Sequence, residues 1–316
     1  MDHIMTMTNR LARWGVGLCA LAMGIEPASV PTYAGEQSGV LRVESEIFVA
    51  GDEKPLARTL TLFRNGIAWD FLDLPVGKET GLPASITDDC GEIVLHDPAR
   101  ERVVVIDPSR NKKTQIAAIR LERLSASLTS WARQSDDRLV RWAGGPDFGD
   151  GFKEQKSQLE LIGPRVRYEV QFTPAPFEDA AELYHRFADT AILLKALMHP
   201  GGLPPFPRLA INQRVASVGG IPSMVTLDID AKLTLSAGRP ASLRSVHKVH
   251  PRLLAVDLER IQQAEARAAV AEMVDLATFI DHTSAVPISG ASVQPDSFQA
   301  SELKKGPKVL LPLPSG

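Results

Sequence analysis

The stretch Thr59-Leu-Thr-Leu-Phe-Arg-Asn-Gly66, continued by Ile67-Ala-Trp-Asp-Phe-Leu72, decides the fold. Asn-Gly between two strand-like runs marks a type I′ turn, because both central residues of that turn need positive φ. The spacing predicts an antiparallel hairpin that pairs residues 57–64 with 67–72. Ile67, Trp69 and Phe71 then share one face, and Ala68 and Asp70 the other. Upstream, Leu41, Val43, Ile47 and Val49 recur with period two, with Arg42, Glu44 and Glu46 between them. That is a half-buried strand.

Downstream, Asp-Pro-x-Arg occurs twice, at residues 97–100 and 107–110. Proline pre-sets the turn and the aspartate can accept from the backbone ahead, so a strand meander over 92–95, 102–106 and 113–116 is expected. One short strand puts Asp97 and Asp107 at opposite ends of the sheet, roughly 17 Å apart. They are turn formers, not a catalytic pair. Val103-Val-Val-Ile106 is apolar on both sides. Such a strand is covered on both faces, or has one face lining a dry cavity.

Beyond the meander, Leu121, Leu124, Leu128 and Trp131 lie at helical spacing, and residues 136–151 read as loop. A second hairpin, 158–162 with 165–173, turns at Gly163-Pro164 and places Val166, Tyr168, Val170 and Phe172 inward. Helices are expected over 177–198, 209–218 and 257–280, and strands over 223–235 and 242–249. The fold class is therefore α+β, one antiparallel sheet with helices to cover it. Trp69, Phe71, Tyr168, Phe172, Leu227 and Ile229 are its large apolar candidates, either packing a dry core or lining a cavity.

The ends read differently. Arg10 and Arg13 precede an apolar run, Trp14 to Ile25, and a small-residue site ends at Ala34. That is the layout of a secretory signal, and the run is shorter than the roughly twenty residues of a membrane span. Leu18 before Cys19 argues against acylation there. Residues 1–34 are thus expected as signal peptide, 35–283 as a single domain, and 284–316, with five prolines, as a flexible tail. Export makes the mature protein periplasmic or secreted. Cys90 would be its one thiol, unable to form an internal disulfide.

Of the 316 residues, 44% are apolar and 23% charged, and the net charge is -3. A wholly disordered chain is excluded, and nothing favours a nucleic-acid partner. There is no Gly-rich phosphate loop, G-x-S-x-G elbow, H-E-x-x-H or C-x-x-C. His247 and His250 are three apart on a strand, so they point to opposite faces and are not a metal pair. No catalytic residue, metal site or cofactor is expected. A Ser-His-Asp triad assembled in space would leave no such motif.

The order of elements, with residues 59–66, Trp69-Asp-Phe71, Glu92-Ile-Val-Leu-His-Asp-Pro98 and Val103-Val-Val-Ile-Asp107, resembles the periplasmic lipoprotein-carrier (LolA-like) superfamily over residues 40–280. The resemblance implies a strongly curved, unclosed antiparallel sheet, a half-barrel with helices on its concave face and an apolar cavity for acyl chains. It implies no cofactor and no enzymatic step. Its implied partner is a lipid or lipoprotein acyl chain; the alternative is an envelope protein-interaction or sensor module without a small ligand. Residues 73–91 interrupt the meander, either as a surface loop or as a lid, and the tail has no counterpart in the family.

Overall fold

The structure, a computed structural model, describes residues 39–49, 51–72, 91–145, 148–200, 202–230 and 242–283. The expectations for the signal segment, Cys90, the lid and the tail lie outside these residues. The strands are β1 Leu41–Val49, β2 Ala57–Arg64, β3 Ile67–Leu72, β4 Glu92–Asp97, β5 Arg102–Asp107, β6 Lys112–Ala117, β7 Phe152–Gln155, β8 Gln158–Gly163, β9 Val166–Pro174, β10 Gly220–Ile229, β11 Ser242–His250 and β12 Glu272–Met273. The helices are α1 Ala118–Arg133, α2 Arg138–Ala143, α3 Ala180–Met198, α4 Phe206–Ser217, α5 Ala255–Val270 and α6 Leu276–Thr283.

All twelve strands form one curved, unclosed sheet in the order β12-β6-β5-β4-β3-β2-β1-β11-β10-β9-β8-β7. Two meanders are joined at a single seam, where β1 pairs antiparallel with β11, Arg42 opposite His250 and Val49 opposite Leu243. The hairpin that opened the sequence forms as expected: Asn65 and Gly66 both have positive φ, and Leu62 faces Trp69 across the turn. The Asp-Pro turns also form. Asp97 holds Arg100 and Arg102, while Asp107 accepts from the Arg110 backbone and side chain and from Ser109. Burial opposes ionisation of both aspartates, but these bonds win and hold their pKa values below the usual carboxylate value.

Residue parity divides the sheet into two faces. On one face, which we term concave, Leu41, Val43, Phe63, Val94, Val103, Val105 and Ile116 pack beneath α1, α3 and α6. Helix α3 crosses the strands, with Ala180 and Tyr184 over the seam and Leu194 and Met198 over β4 and β5. Its nineteen residues span about 28 Å, enough to bridge both meanders. Helix α4 presses Ile211 and Val215 onto β8–β10, where α2 adds Leu139.

The opposite face of β2–β5 carries Leu60, Leu62, Trp69, Phe71, Ile93, Leu95, Val104 and Ile106, and α5 covers it with Ile261 and Ala264. This corrects the expectation that the helices share the concave face. It also explains Val103–Ile106, whose four side chains alternate between two packed layers.

Three further expectations are corrected. The span 257–280 is not one helix. Ala271 leaves helical geometry, and the backbones of Glu272 and Val274 donate to Asn111 and Lys113 of the β6 edge. Pairing with that edge overrides local helix propensity, and it makes β12 parallel to β6, so the sheet is not wholly antiparallel. The loop at 136–151 contains α2, capped by Asp137 accepting from Leu139 at 2.7 Å. Finally, α3 starts at Ala180, α4 at Phe206 and β10 at Gly220, while residues 231–235 of the expected strand lie outside the described residues.

Candidate functional site

The six apolar candidates fall on both faces. Trp69 and Phe71 are buried under α5 on the convex side. Tyr168, Phe172, Leu227 and Ile229 gather on the concave side, around α4. The two groups cannot line one cavity. Trp69 pairs with Leu62 and Leu95, and a strand parity separates that layer from Ala68 and Asp70, which face α3.

On the concave face the second group continues across the seam. Leu161 of β8 lies opposite Tyr168, Tyr168 opposite Leu227, Leu227 opposite Leu243, and Leu243 opposite Val49. At about 4.8 Å per strand, the step from Tyr168 to Val49 covers about 14 Å. Leu227, Ile229, Leu243, Val49 and Ile47 are only half-buried, and the last three belong to none of the four packed clusters. An apolar ladder is therefore left incompletely covered by the described helices.

A polar group lies at the α3 and α4 side of this ladder. His247 is held between two hydroxyls, Ser45 at 2.8 Å from Nδ1 and Ser245 at 3.1 Å from Nε2. Burial, with the nearby positive charge of Arg208, pushes its pKa down to about 3, so the imidazole is neutral. Both ring nitrogens are occupied by serines, which leaves none for the carboxylate of a Ser-His-Asp triad. His250 faces the opposite way, beside Arg42, as strand parity requires.

Tyr184 of α3 stands edge-on to His247 at 6.5 Å. Burial raises the pKa of Tyr184 and pushes that of Tyr168 up to about 12, so both hydroxyls keep their protons. Asp189 accepts from Asn212 at 2.9 Å and lies 3.1 Å from His185, and burial raises its pKa. Arg208 sits in the first turn of α4 among these groups. Its charge acts on Tyr184, Tyr168, Asp189 and His247. The Nη1 atom is buried with no hydrogen-bond partner, and burial holds the guanidinium pKa below its ordinary value.

Sequence reading missed Arg208, Val49 and Leu243 as site residues. The signal for Arg208 was a cation in the first turn of a helix, where the backbone dipole disfavours it, flanked by Phe206-Pro207 and Leu209. Val49 and Leu243 were read as strand residues, but their juxtaposition depends on the seam between distant segments.

Two hollows lie elsewhere among the described residues. One, of about 120 Å³, lies between β7–β9 and α4 and is lined by Phe172, Leu159 and Val215. It is below the roughly 300 Å³ at which small-molecule sites begin. The other, about 480 Å³ beside Trp142, Phe148 and Ile162, is open to solvent. Among the described residues, no three of His, Cys, Asp and Glu gather as a metal site, and no helix is long and apolar enough to cross a membrane.

No family model matches the chain, and no curated protein does. Among solved structures, the chain is similar to a LolA superfamily protein from Nitrosomonas europaea. The two are 10% identical with a TM-score of 0.24, over 70% of this chain and 90% of that one. A likeness this distant carries no argument about ligand or role.

Proposed function

We propose that this chain, exported after cleavage near Ala34, binds an apolar, acyl-like molecule along the ladder Tyr168–Leu227–Leu243–Val49, with Ile229 and Ile47 beside it. One observation carries the reading: apart from Tyr168, which is buried, these side chains are aliphatic and face the concave side in register yet stay half-buried, although Phe63, Ala68, Val94, Val103 and Val105 on the same face of β2–β5 are buried. Covering them with hydrocarbon would gain about 25 cal/mol per Å² removed from water. The role is that of a carrier or binding protein, with no bond made or broken.

The test uses N-phenyl-1-naphthylamine, a neutral apolar fluorophore. The purified chain should enhance its emission saturably, and Leu227→Glu should abolish this while the far-UV spectrum stays native. Absence of saturable binding to the unmodified chain would overturn the reading and leave the ladder as a docking face for another protein.

A further inference from the structure

Arg208, in the first turn of α4, forms no ion pair among the described residues. Its side chain keeps some accessible surface, yet is embedded deeply enough to depress its pKa. Its Nη1 is buried with no hydrogen-bond partner. The carboxylate whose field it feels, Asp189, is engaged by Asn212 and His185. The backbone adds to the imbalance. Helix α4 begins at Phe206 with no side-chain cap and no acidic residue in its first turn. The positive end of the helix and the guanidinium therefore lie together, and among the described residues only the field of Asp189, which makes no ion pair with Arg208, offsets them, an arrangement that ordinarily works against stability.

The surroundings fit an incoming anion. Tyr168 and Tyr184 keep their hydroxyl protons, and His247 is neutral, so none of these neighbours supplies negative charge. Tyr168 is also the end rung of the apolar ladder, directly opposite Leu227. Charge and apolar surface thus meet at one residue.

We infer that Arg208 recognises the anionic head of a single-chain amphiphile, a carboxylate or phosphate monoester, whose hydrocarbon lies along Leu227, Leu243 and Val49. The inference rests on the ligand reading above and specifies the head group that reading leaves open. A charge-assisted, two-pronged contact from guanidinium to a planar or tetrahedral oxyanion is the interaction for which arginine is best shaped. A neutral or esterified chain would leave the guanidinium unpaired.

The experiment is competition against N-phenyl-1-naphthylamine on the full chain, using dodecanoate, dodecyl phosphate, dodecanol and inorganic phosphate. The unmodified chain should prefer either anionic amphiphile over dodecanol by about 10- to 100-fold. Inorganic phosphate alone should not displace the fluorophore, which separates an amphiphile from a free ion. In Arg208→Gln the ratio of dodecanoate to dodecanol affinity should fall to about one, and in Arg208→Lys much of it should persist. Equal competition by dodecanoate and dodecanol in the unmodified chain would overturn the inference while the apolar site stands. Displacement by inorganic phosphate at the concentrations that suffice for dodecyl phosphate would also overturn it. Failure of the unmodified chain to bind the fluorophore would remove the reading beneath it. If Arg208→Gln does not fold, the comparison in the unmodified chain decides alone.

Discussion

Arg42 Nε lies 3.0 Å from the carboxylate of Asp257, a contact that joins the seam strand β1 to helix α5 on the convex face. Asp257 is wholly buried and its Oδ2 also accepts from the backbone of Leu254 at the start of α5. The Arg42 contact is an ion pair rather than a well-aligned hydrogen bond, since Nε finds no bond of good geometry. At the far end of the helix Arg267 donates to Pro108 at 2.9 Å, and Lys113 reaches the carbonyl of Ala268. The helix is therefore tied to the sheet at both ends, with Ile261 and Ala264 packed between.

Removing Arg42 leaves Asp257 a wholly buried carboxylate without a counter-charge, whereas removing Asp257 leaves Arg42 its second partner, Glu44. Arg42→Ala should therefore lower the unfolding free energy by about 3 kcal/mol, measured by urea titration. A double-mutant cycle with Asp257→Ala should give a coupling of at least about 1 kcal/mol. Additive losses would show that the pair does not act as a unit.

His96 should make the fold acid-sensitive. It is buried between β3 and β5, edge-on to Phe187 at 4.8 Å, and neither ring nitrogen has a partner. Burial pushes its pKa from 6.5 to about 3. The folded chain then binds fewer protons than the unfolded chain between those values, so stability is full above about pH 6.5 and is lost as pH falls toward 3. For His96 the loss reaches about 5 kcal/mol. His96→Leu should flatten the urea midpoint against pH; an unchanged slope would rule out this origin.

Asp70 has the opposite sign. It accepts from Thr61 at 2.8 Å on the buried concave face, and burial raises its pKa from 3.8 to about 6 despite that bond and the charge of Lys195. The folded state holds the extra proton between pH 3.8 and 6, so this group weakens the fold as pH rises through that window. Asp70→Asn, which can still accept from Thr61, should add about 3 kcal/mol at pH 7 and nothing near pH 3. A gain independent of pH would point to packing instead.

Trp69→Ala separates the two apolar layers. The indole is 4% exposed beneath α5, so truncation should cost about 3–5 kcal/mol. Fluorophore affinity should not change, because the ladder lies on the other face. Loss of affinity in a folded Trp69→Ala protein would contradict the separation.

Local chemistry made much of this fold legible. Asn65-Gly66 fixed a turn, the Asp-Pro repeats fixed two more, and alternation fixed which side chains of each strand share a face. What stayed hidden was non-local. Trp69 and Tyr168 are both inward aromatics by alternation, but which of two faces is inward depends on where α5 settles. Ala271 sits in a run that favours helix, and only the free edge of β6 explains its extended conformation. No local pattern around Arg208 tells that its charge acts on Tyr168 of β9, Tyr184 of α3 and His247 of β11.

The β1–β11 seam has a kinetic consequence. Each meander can zip from its own tight turns, but the register of Arg42 with His250 joins segments some two hundred residues apart. Closing so long a loop adds only modestly to the entropic cost, as the logarithm of its length, yet it puts this contact among the slow steps of self-assembly. Because the ladder crosses the seam, an intermediate with both meanders formed but unjoined would lack the continuous apolar row on which the proposed binding depends.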